Sequence, residues 1–224
     1  MENLTLTSAQ FSSLKKAFAV VCGIIAVAIA AAQVHSGAEY SLVQLFRWGS
    51  AALTITTGLF WVFYRWAWRW AWIHKWTDQP LVRGVWLGYL SSDYGRKPTD
   101  PPLRKPIVFV VRQTYLSLSI QSFTDRQVGE SKVEALLRNG RTQAVRLAYV
   151  FELKNDYPGT RTLVNGAGDL ELLTDSSVLH GNYWTSTPTH GSLRLRRVAS
   201  DGDNVKRFED AVKRWPIGPQ WDVK

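Results

Sequence analysis

The side chains best suited to chemistry in this sequence are arginines and tyrosines in its second half. Arginine can form paired hydrogen bonds with phosphate, and an aromatic ring offers a face on which a base can stack. In the stretch LRLRR, Arg194 and Arg196 alternate with leucines and would share one face of a strand. A solvent-facing position of these arginines is the competing interpretation. The residue types predict a ligand site drawn from Arg112, Tyr115, Arg146, Tyr149, Tyr183, Arg194 and Arg196.

Sequence motifs for catalysis or metal binding are missing. His180 and His190 have no carboxylate at ligand spacing, and a single cysteine, Cys22, excludes an internal disulfide and a cysteine-based zinc site. Asp169 and Glu171 could share a strand face and perform acid–base work, but a solvated strand face explains such a pair more simply. We therefore expect a binding module rather than an enzyme, with no catalytic residue, metal or cofactor.

Short alternating runs separated by turn residues predict about eight β-strands from residue 84 onward. Asn139-Gly140 marks a hairpin, the four prolines of residues 93–106 predict a loop, and Gly166-Ala167-Gly168 predicts a turn. Evenly spaced antiparallel strands without edge-protecting prolines favour a closed barrel, with room inside for side chains or one small ligand. The predicted strands cover residues 84–92, 107–113, 114–123, 127–140, 142–154, 168–175, 178–187 and 191–199.

Two apolar segments precede the predicted barrel. Residues 17–34 are eighteen residues without a charge, and residues 48–64 are seventeen more. At ~1.5 Å per helical residue, each segment approaches the ~30 Å of a hydrocarbon core. A signal peptide is the alternative for the first segment, but the long polar leader and the second apolar segment disfavour it. The short connection at residues 35–41 predicts a transmembrane hairpin.

Basic residues set the predicted orientation of this hairpin. Lysines precede the first apolar segment, and arginines and lysines follow the second, whereas the loop between them holds little charge. The positive-inside rule then places both termini and the barrel in the cytoplasm. The net charge of +9 also suits a phosphate-bearing partner, either lipid head groups or a nucleotide.

A tryptophan-rich segment, YRWAWRWAWIHKW (residues 64–76), follows the second apolar segment. Its alternating tryptophans have the period of a strand, but a strand leaving a membrane would expose unpaired backbone groups. We therefore predict that the helix continues through this segment, with tryptophans and arginines forming an interfacial belt. A tryptophan stripe for self-assembly in the membrane is the alternative.

The predicted fold class combines these parts. Residues 1–78 form a two-helix transmembrane hairpin with a Trp/Arg-rich interfacial segment. Residues 79–224 form an all-β, about eight-stranded antiparallel barrel with a C-terminal helix. That helix is predicted over residues 203–215 from its apolar spacing, with Asp203 or Asn204 as its N-cap.

Two membrane segments, then GVWLGYL at residues 84–90, then LHGNYWTSTPTHGSLRLRR at residues 179–197, resemble a known family. It comprises the two-transmembrane, β-strand-rich membrane effectors of bacterial cyclic-oligonucleotide anti-phage signalling (CBASS), the CD-NTase-associated protein 15 type. The resemblance implies a barrel that binds a cyclic dinucleotide made by a partner CD-NTase. It further implies ligand-induced homo-oligomerisation and disruption of the bacterial inner membrane, with the lipid bilayer as partner and no DNA or RNA.

Two other functions fit the same patterns. A calycin-like, membrane-anchored barrel with Gly84 and Trp86 in its first strand would carry a lipid or small apolar ligand. A structural subunit would use the barrel for protein contacts alone. A polar cavity that contains arginine would favour the nucleotide effector. A wholly apolar lumen would favour the lipid carrier, and a filled core would favour the structural subunit.

Overall fold

The computed structural model describes residues 8–37, 41–70, 79–95, 97, 100–155, 163–173, 177–187 and 189–222. These residues divide into two compact units, one with the N-terminal helices and residues 114–116, the other with the strands and the C-terminal helix. Two short 3₁₀ helices, Ala67–Arg69 and Pro219–Trp221, supplement the main elements. The main elements are α1 (Ser8–His35), α2 (Leu42–Arg65), β1 (Gly84–Ser92), β2 (Leu103–Gln113), β3 (Leu118–Phe123), β4 (Gln127–Arg138), β5 (Val145–Asn155), β6 (Val164–Leu172), β7 (Val178–Thr185), β8 (His190–Ala199) and α3 (Phe208–Arg214).

The eight strands form a closed antiparallel barrel. Each strand pairs with the next in sequence, and β1 closes the barrel by pairing with β8. The prediction of an eight-stranded antiparallel barrel with a C-terminal helix is confirmed. Closure gives each strand a neighbour on both sides, and the shortest pairing joins β3 to β4 over residues 121–123 and 128–130.

The interior of the barrel follows from the alternation along each strand. On β5, Leu147, Tyr149 and Phe151 point inward and join the core, whereas Arg146 is exposed outside. A fully buried side chain of this size contributes ~1.5–3 kcal/mol to folding. The inward faces of all eight strands therefore supply one continuous core.

A second apolar cluster covers the outer face of β1 and β2. Val85 and Val108 alternate with inward-facing residues, yet both are fully buried because the C-terminal segment lies over them. Trp221 is fully buried in this cluster, with its ring centroid 6.2 Å from that of Phe208. Burial on both faces explains why β1 and β2 read as almost unbroken apolar runs.

Two strands begin earlier than the sequence predicted. β2 starts at Leu103 and includes Pro106, which pairs with Tyr89 of β1. The paired register of β3 along β2 begins only at Val108, so Pro106 needs no donor on that side. β6 starts at Val164, so the predicted turn at residues 166–168 is wrong and lies within a strand.

The C-terminal helix is shorter than predicted. It runs from Phe208 to Arg214, with Arg207 rather than Asp203 or Asn204 at the N-cap position. Asp210 caps it by accepting hydrogen bonds from two preceding backbone N–H groups, each at 3.0 Å. The Asp203 carboxylate instead lies 3.7 Å from the guanidinium of Arg83.

Among the described residues of the helical unit, one segment, Phe11–His35, is long and apolar enough to cross a membrane. α2 includes the second predicted span but many of its residues are Ser, Thr, Gly, Trp and Tyr, which lower its mean hydropathy. Ser41 caps α2 by accepting a hydrogen bond from the Gln44 backbone N–H at 3.2 Å. Phe18 of α1 packs edge-on against Phe60 of α2, with centroids 5.0 Å apart.

The tryptophan-rich segment does not continue α2. The helix ends at Arg65, and Trp66 leaves helical geometry with φ −137° before the 3₁₀ helix Ala67–Arg69. The predicted helical continuation is therefore wrong over residues 66–69, while Trp72 and Trp76 lie outside the described residues. The Trp66 ring packs edge-on against the Trp61 ring, with centroids 5.1 Å apart.

Candidate ligand-binding site

A cavity of about 340 Å³ lies inside one end of the barrel. Its lining comes from the end of the barrel that carries the β1–β2, β3–β4, β5–β6 and β7–β8 connections. Small-molecule sites in proteins commonly measure ~300–1,000 Å³. The barrel core is therefore not completely filled by its own side chains.

Glycines facing aromatic residues keep this volume open. Tyr149 pairs with Gly168, and Phe151 pairs with Gly166, on the inward faces of β5 and β6. A Cβ atom at Gly168 would lie 2.5 Å from the Tyr149 ring, and one at Gly166 would lie 2.4 Å from Phe151 Cζ. The rings therefore lie against the β6 backbone instead of filling the centre of the lumen.

The floor of the cavity is apolar and aromatic. The Phe109 and Tyr149 rings meet edge-on with centroids 5.9 Å apart, and Tyr149 and Phe151 lie 5.6 Å apart. Burial, reinforced by the neighbouring Tyr183, raises the pKa of the Tyr149 phenol. Tyr149 is therefore neutral at physiological pH and keeps its hydroxyl proton. Leu90, Leu103, Ile107, Leu153, Val164 and Leu193 complete the apolar lining.

The mouth of the cavity is rich in hydroxyl groups. Burial raises the pKa of Tyr183, and a hydrogen bond to Ser92 only partly opposes this. Thr185 donates its hydroxyl to the backbone carbonyl of Thr187 at 2.6 Å. Such groups both donate and accept hydrogen bonds, as phosphate and sugar oxygens require. The polar lining residues include Ser92, Ser122, Thr124, Gln127, Tyr183, Thr185, Thr187 and Thr189.

Lys105 is the one charged side chain among the described residues that line the cavity. It is half-buried, and no hydrogen bond or ion pair joins its ammonium to another residue described in the structure. The sequence did not indicate Lys105 as a site residue, because the four prolines of residues 93–106 predicted a loop there. The alternation Leu103, Lys105, Ile107, Phe109 was the available signal, since all four share the inward face of β2.

The structure brings two of the predicted tyrosines into the cavity, Tyr149 and Tyr183. Tyr115 lies between β2 and β3 and belongs to the helical unit, where its ring centroid is 4.9 Å from that of Phe63 and 6.1 Å from that of Trp68. Burial raises the pKa of Tyr115 as well.

The four predicted arginines lie on the outer face of the barrel. Arg194 and Arg196 are exposed and alternate with the inward Leu193 and Leu195 of β8. The Arg146 guanidinium donates to Asp169, with Nε 3.1 Å from Oδ1.

Arg112, the fourth, donates to the Gln121 side chain across the β2–β3 pair. Its guanidinium also lies 3.9 Å from the Asp203 carboxylate. The arginines that the sequence offered for phosphate binding are thus separated from the cavity by the barrel wall.

Comparison with known proteins gives one informative similarity. No protein-family model matches the chain. Over 149 residues, the chain is 22% identical to CD-NTase-associated protein 15 of Staphylococcus schleiferi. The match covers 66% of this chain and 78% of that protein. It supports a distant relationship. The resemblance drawn from the two apolar segments and the strand patterns agrees with it.

Proposed function

We propose that this protein is an antiviral CBASS effector whose barrel binds a cyclic dinucleotide made by a partner CD-NTase. Binding drives self-association of the membrane helices, and the resulting assembly disrupts the bacterial inner membrane of the infected cell. The protein acts by binding and assembly, not by catalysis, and it needs no cofactor beyond its ligand.

The cavity carries this proposal. A cyclic dinucleotide presents flat bases, sugar hydroxyls and phosphates. The cavity offers the rings of Phe109, Tyr149 and Phe151, a mouth of hydroxyl groups, and the ammonium of Lys105. Base stacking on an aromatic side chain contributes ~1–3 kcal/mol per base. The distant similarity to a CD-NTase-associated protein supports a role beside a CD-NTase.

The helical unit supplies the membrane part of the proposal. α1 contains the apolar segment Phe11–His35, and we propose α2 as a second span, with both termini and the barrel in the cytoplasm. Ligand-induced association of barrels would raise the effective concentration of the attached helices. Small residues such as Gly23 and Gly58, where an added Cβ atom would meet nothing within 4 Å, permit close packing between helices.

Calorimetry on the full-length chain in lipid nanodiscs tests ligand binding directly. The expected result is saturable binding of at least one cyclic dinucleotide from a panel of different bases and linkages. Thr185→Trp, at the cavity mouth, should abolish that binding, because an indole would occupy the space. Asn182→Trp is the matched control, since Asn182 is exposed on the outer face of the same strand. The proposal fails if no cyclic dinucleotide binds, or if both variants bind as the wild type does.

A second candidate function is the carriage of a lipid or small apolar ligand. The apolar cavity floor favours it, as does the finding that no arginine is among the described lining residues. If this function is correct, a fatty acid would bind in the same calorimetric experiment and no cyclic dinucleotide would bind. The structural-subunit alternative has less support, because a filled core is what it requires and the barrel contains a cavity.

A further inference from the structure

We infer that Lys105 anchors the anionic group of the ligand at the cavity mouth, and that an aromatic or apolar end of the ligand lies inward on the cavity floor. This inference rests on the proposed function for the identity of the ligand, a phosphate-bearing nucleotide. It adds a direction of entry and a residue that determines affinity.

The direction follows from the order of side chains along β2. Leu103, Lys105, Ile107 and Phe109 point inward in succession from the mouth. At ~3.3 Å per strand residue, the Cα atoms of Lys105 and Phe109 are about 13 Å apart. Charge is therefore concentrated near the mouth and aromatic surface near the floor. A ligand that satisfies both must carry its anion at one end and an apolar or planar group at the other.

Because no described residue forms a hydrogen bond or ion pair with Lys105, its ammonium is available to an anion in the cavity. Holding an ammonium partly out of water costs free energy unless an acceptor or an opposite charge compensates for it. Asp93, at the same end of the barrel, instead accepts a hydrogen bond from the His190 backbone N–H at 2.7 Å. Its other carboxylate oxygen lies 3.6 Å from the His190 imidazole. A bound anion would supply the acceptor that Lys105 lacks among the described residues.

The polar groups that share the cavity lining with Lys105 favour phosphate over carboxylate as that anion. Ser92, Thr185 and Thr189 place hydroxyl groups in the same lining, and Gln127 adds an amide. A phosphate offers more acceptor oxygens than a carboxylate and can engage several of these donors together. A fatty-acid carboxylate shares the chemistry of an anion joined to an apolar body, so the experiment must separate the two sources.

The test uses the full-length chain in nanodiscs and compares Lys105→Met, Lys105→Arg and Lys206→Met. Methionine keeps the apolar stem of lysine, so the barrel should fold, and thermal denaturation of each variant verifies this. Lys206 is exposed near α3, and its replacement makes the same change in net charge. For a cyclic dinucleotide, Lys105→Met should raise Kd by about ten- to a hundredfold, the loss expected for one charged hydrogen bond. The Kd of Lys105→Arg should stay within a few-fold of the wild-type Kd, and Lys206→Met should leave Kd unchanged.

Dodecanoate and an uncharged nucleoside are measured beside the cyclic dinucleotide. If wild type and Lys105→Met bind the cyclic dinucleotide equally well, the role of Lys105 is refuted while the proposed function stands. If only dodecanoate binds, and binding depends on Lys105, the anchor is upheld and the proposed function is refuted. If the uncharged nucleoside binds as tightly as the cyclic dinucleotide, or if no probe binds, the anchor is refuted.

Discussion

Replacement of Gln113 by leucine tests how the chain enters the barrel. The lead-in segment, residues 80–83, precedes β1 at the end of the barrel opposite the cavity, and its Val82 joins the barrel core. Side chains of the strands form hydrogen bonds with its backbone. The Gln113 Oε1 atom accepts from the Val82 and Arg83 backbone N–H groups at 2.9 and 3.1 Å. Its Nε2 atom donates to the Pro80 carbonyl at 2.9 Å. Trp86 donates its indole N–H to the Val82 carbonyl at 2.9 Å.

The cost of the substitution can be estimated from these bonds. Each is worth ~1 kcal/mol net, and leaving a buried N–H without an acceptor costs ~1–3 kcal/mol more. Val82 is fully buried, so water cannot replace the lost acceptor there. We expect Gln113→Leu to lower the free energy of unfolding of the barrel by roughly 3–5 kcal/mol. This is a large fraction of the ~5–15 kcal/mol typical of a folded domain.

The assay is urea denaturation of the full-length chain in detergent, followed by tryptophan fluorescence because Trp86 lies in the barrel core. Gln121→Leu is the matched control. Gln121 contacts Arg112 on the outer face of the neighbouring strand, and its loss should cost no more than ~1 kcal/mol. A loss below 1 kcal/mol for Gln113→Leu, or equal losses for both variants, would refute the role given to the lead-in segment.

Three further predictions concern the fold. Gly168→Val should destabilise the barrel by ~1–3 kcal/mol in thermal denaturation, because its Cβ atom would overlap the Tyr149 ring; unchanged stability would contradict the packing described. Trp221→Ala should cost ~3–5 kcal/mol in urea unfolding, since the ring is fully buried, and a loss typical of a surface residue would show that the C-terminal segment does not cover the barrel. Burial raises the pKa of Asp201, but backbone N–H groups and Arg83 outweigh burial and lower the pKa overall. The stability that this carboxylate supplies is therefore present above its ordinary pKa near 4 and is lost as pH falls through the lower pKa of the folded state. Asp201→Asn should accordingly destabilise the protein by under ~1 kcal/mol at pH 7, and by progressively less on acidification. A destabilisation that grows on acidification would contradict this sign.

Strand number and order could be predicted because each strand alternates or carries an unbroken apolar run between turn residues. The ends of some strands could not be predicted, because a local turn signal from proline or glycine competed with pairing between strands. Pro106 indicated a loop, yet it is accommodated where β2 pairs with β1. Gly166 and Gly168 indicated a turn, but they are strand positions that accept aromatic rings from β5. Those rings come from a distant part of the sequence, so no local pattern reports them.

The candidate site was predictable only in part, because residue type does not determine which face of the barrel a side chain occupies. Tyr149 alternates with leucine and phenylalanine, and this pattern placed it inside. Arg194 and Arg196 alternate with leucines in the opposite phase, which places them outside. Lys105 was hidden by the assignment of its segment to a loop. Binding of the ligand by these arginines stays a prediction, and their positions on the outer face of the barrel do not support it.

The most direct test of the proposed function is ligand-dependent leakage of liposomes that contain the full-length protein. Dye release is followed after addition of a cyclic dinucleotide that binds the protein in calorimetry. We predict rapid release with that ligand, little release without it, and no response from Thr185→Trp. Release that is equally fast without ligand, or no release despite saturating binding, would contradict a ligand-gated membrane effector.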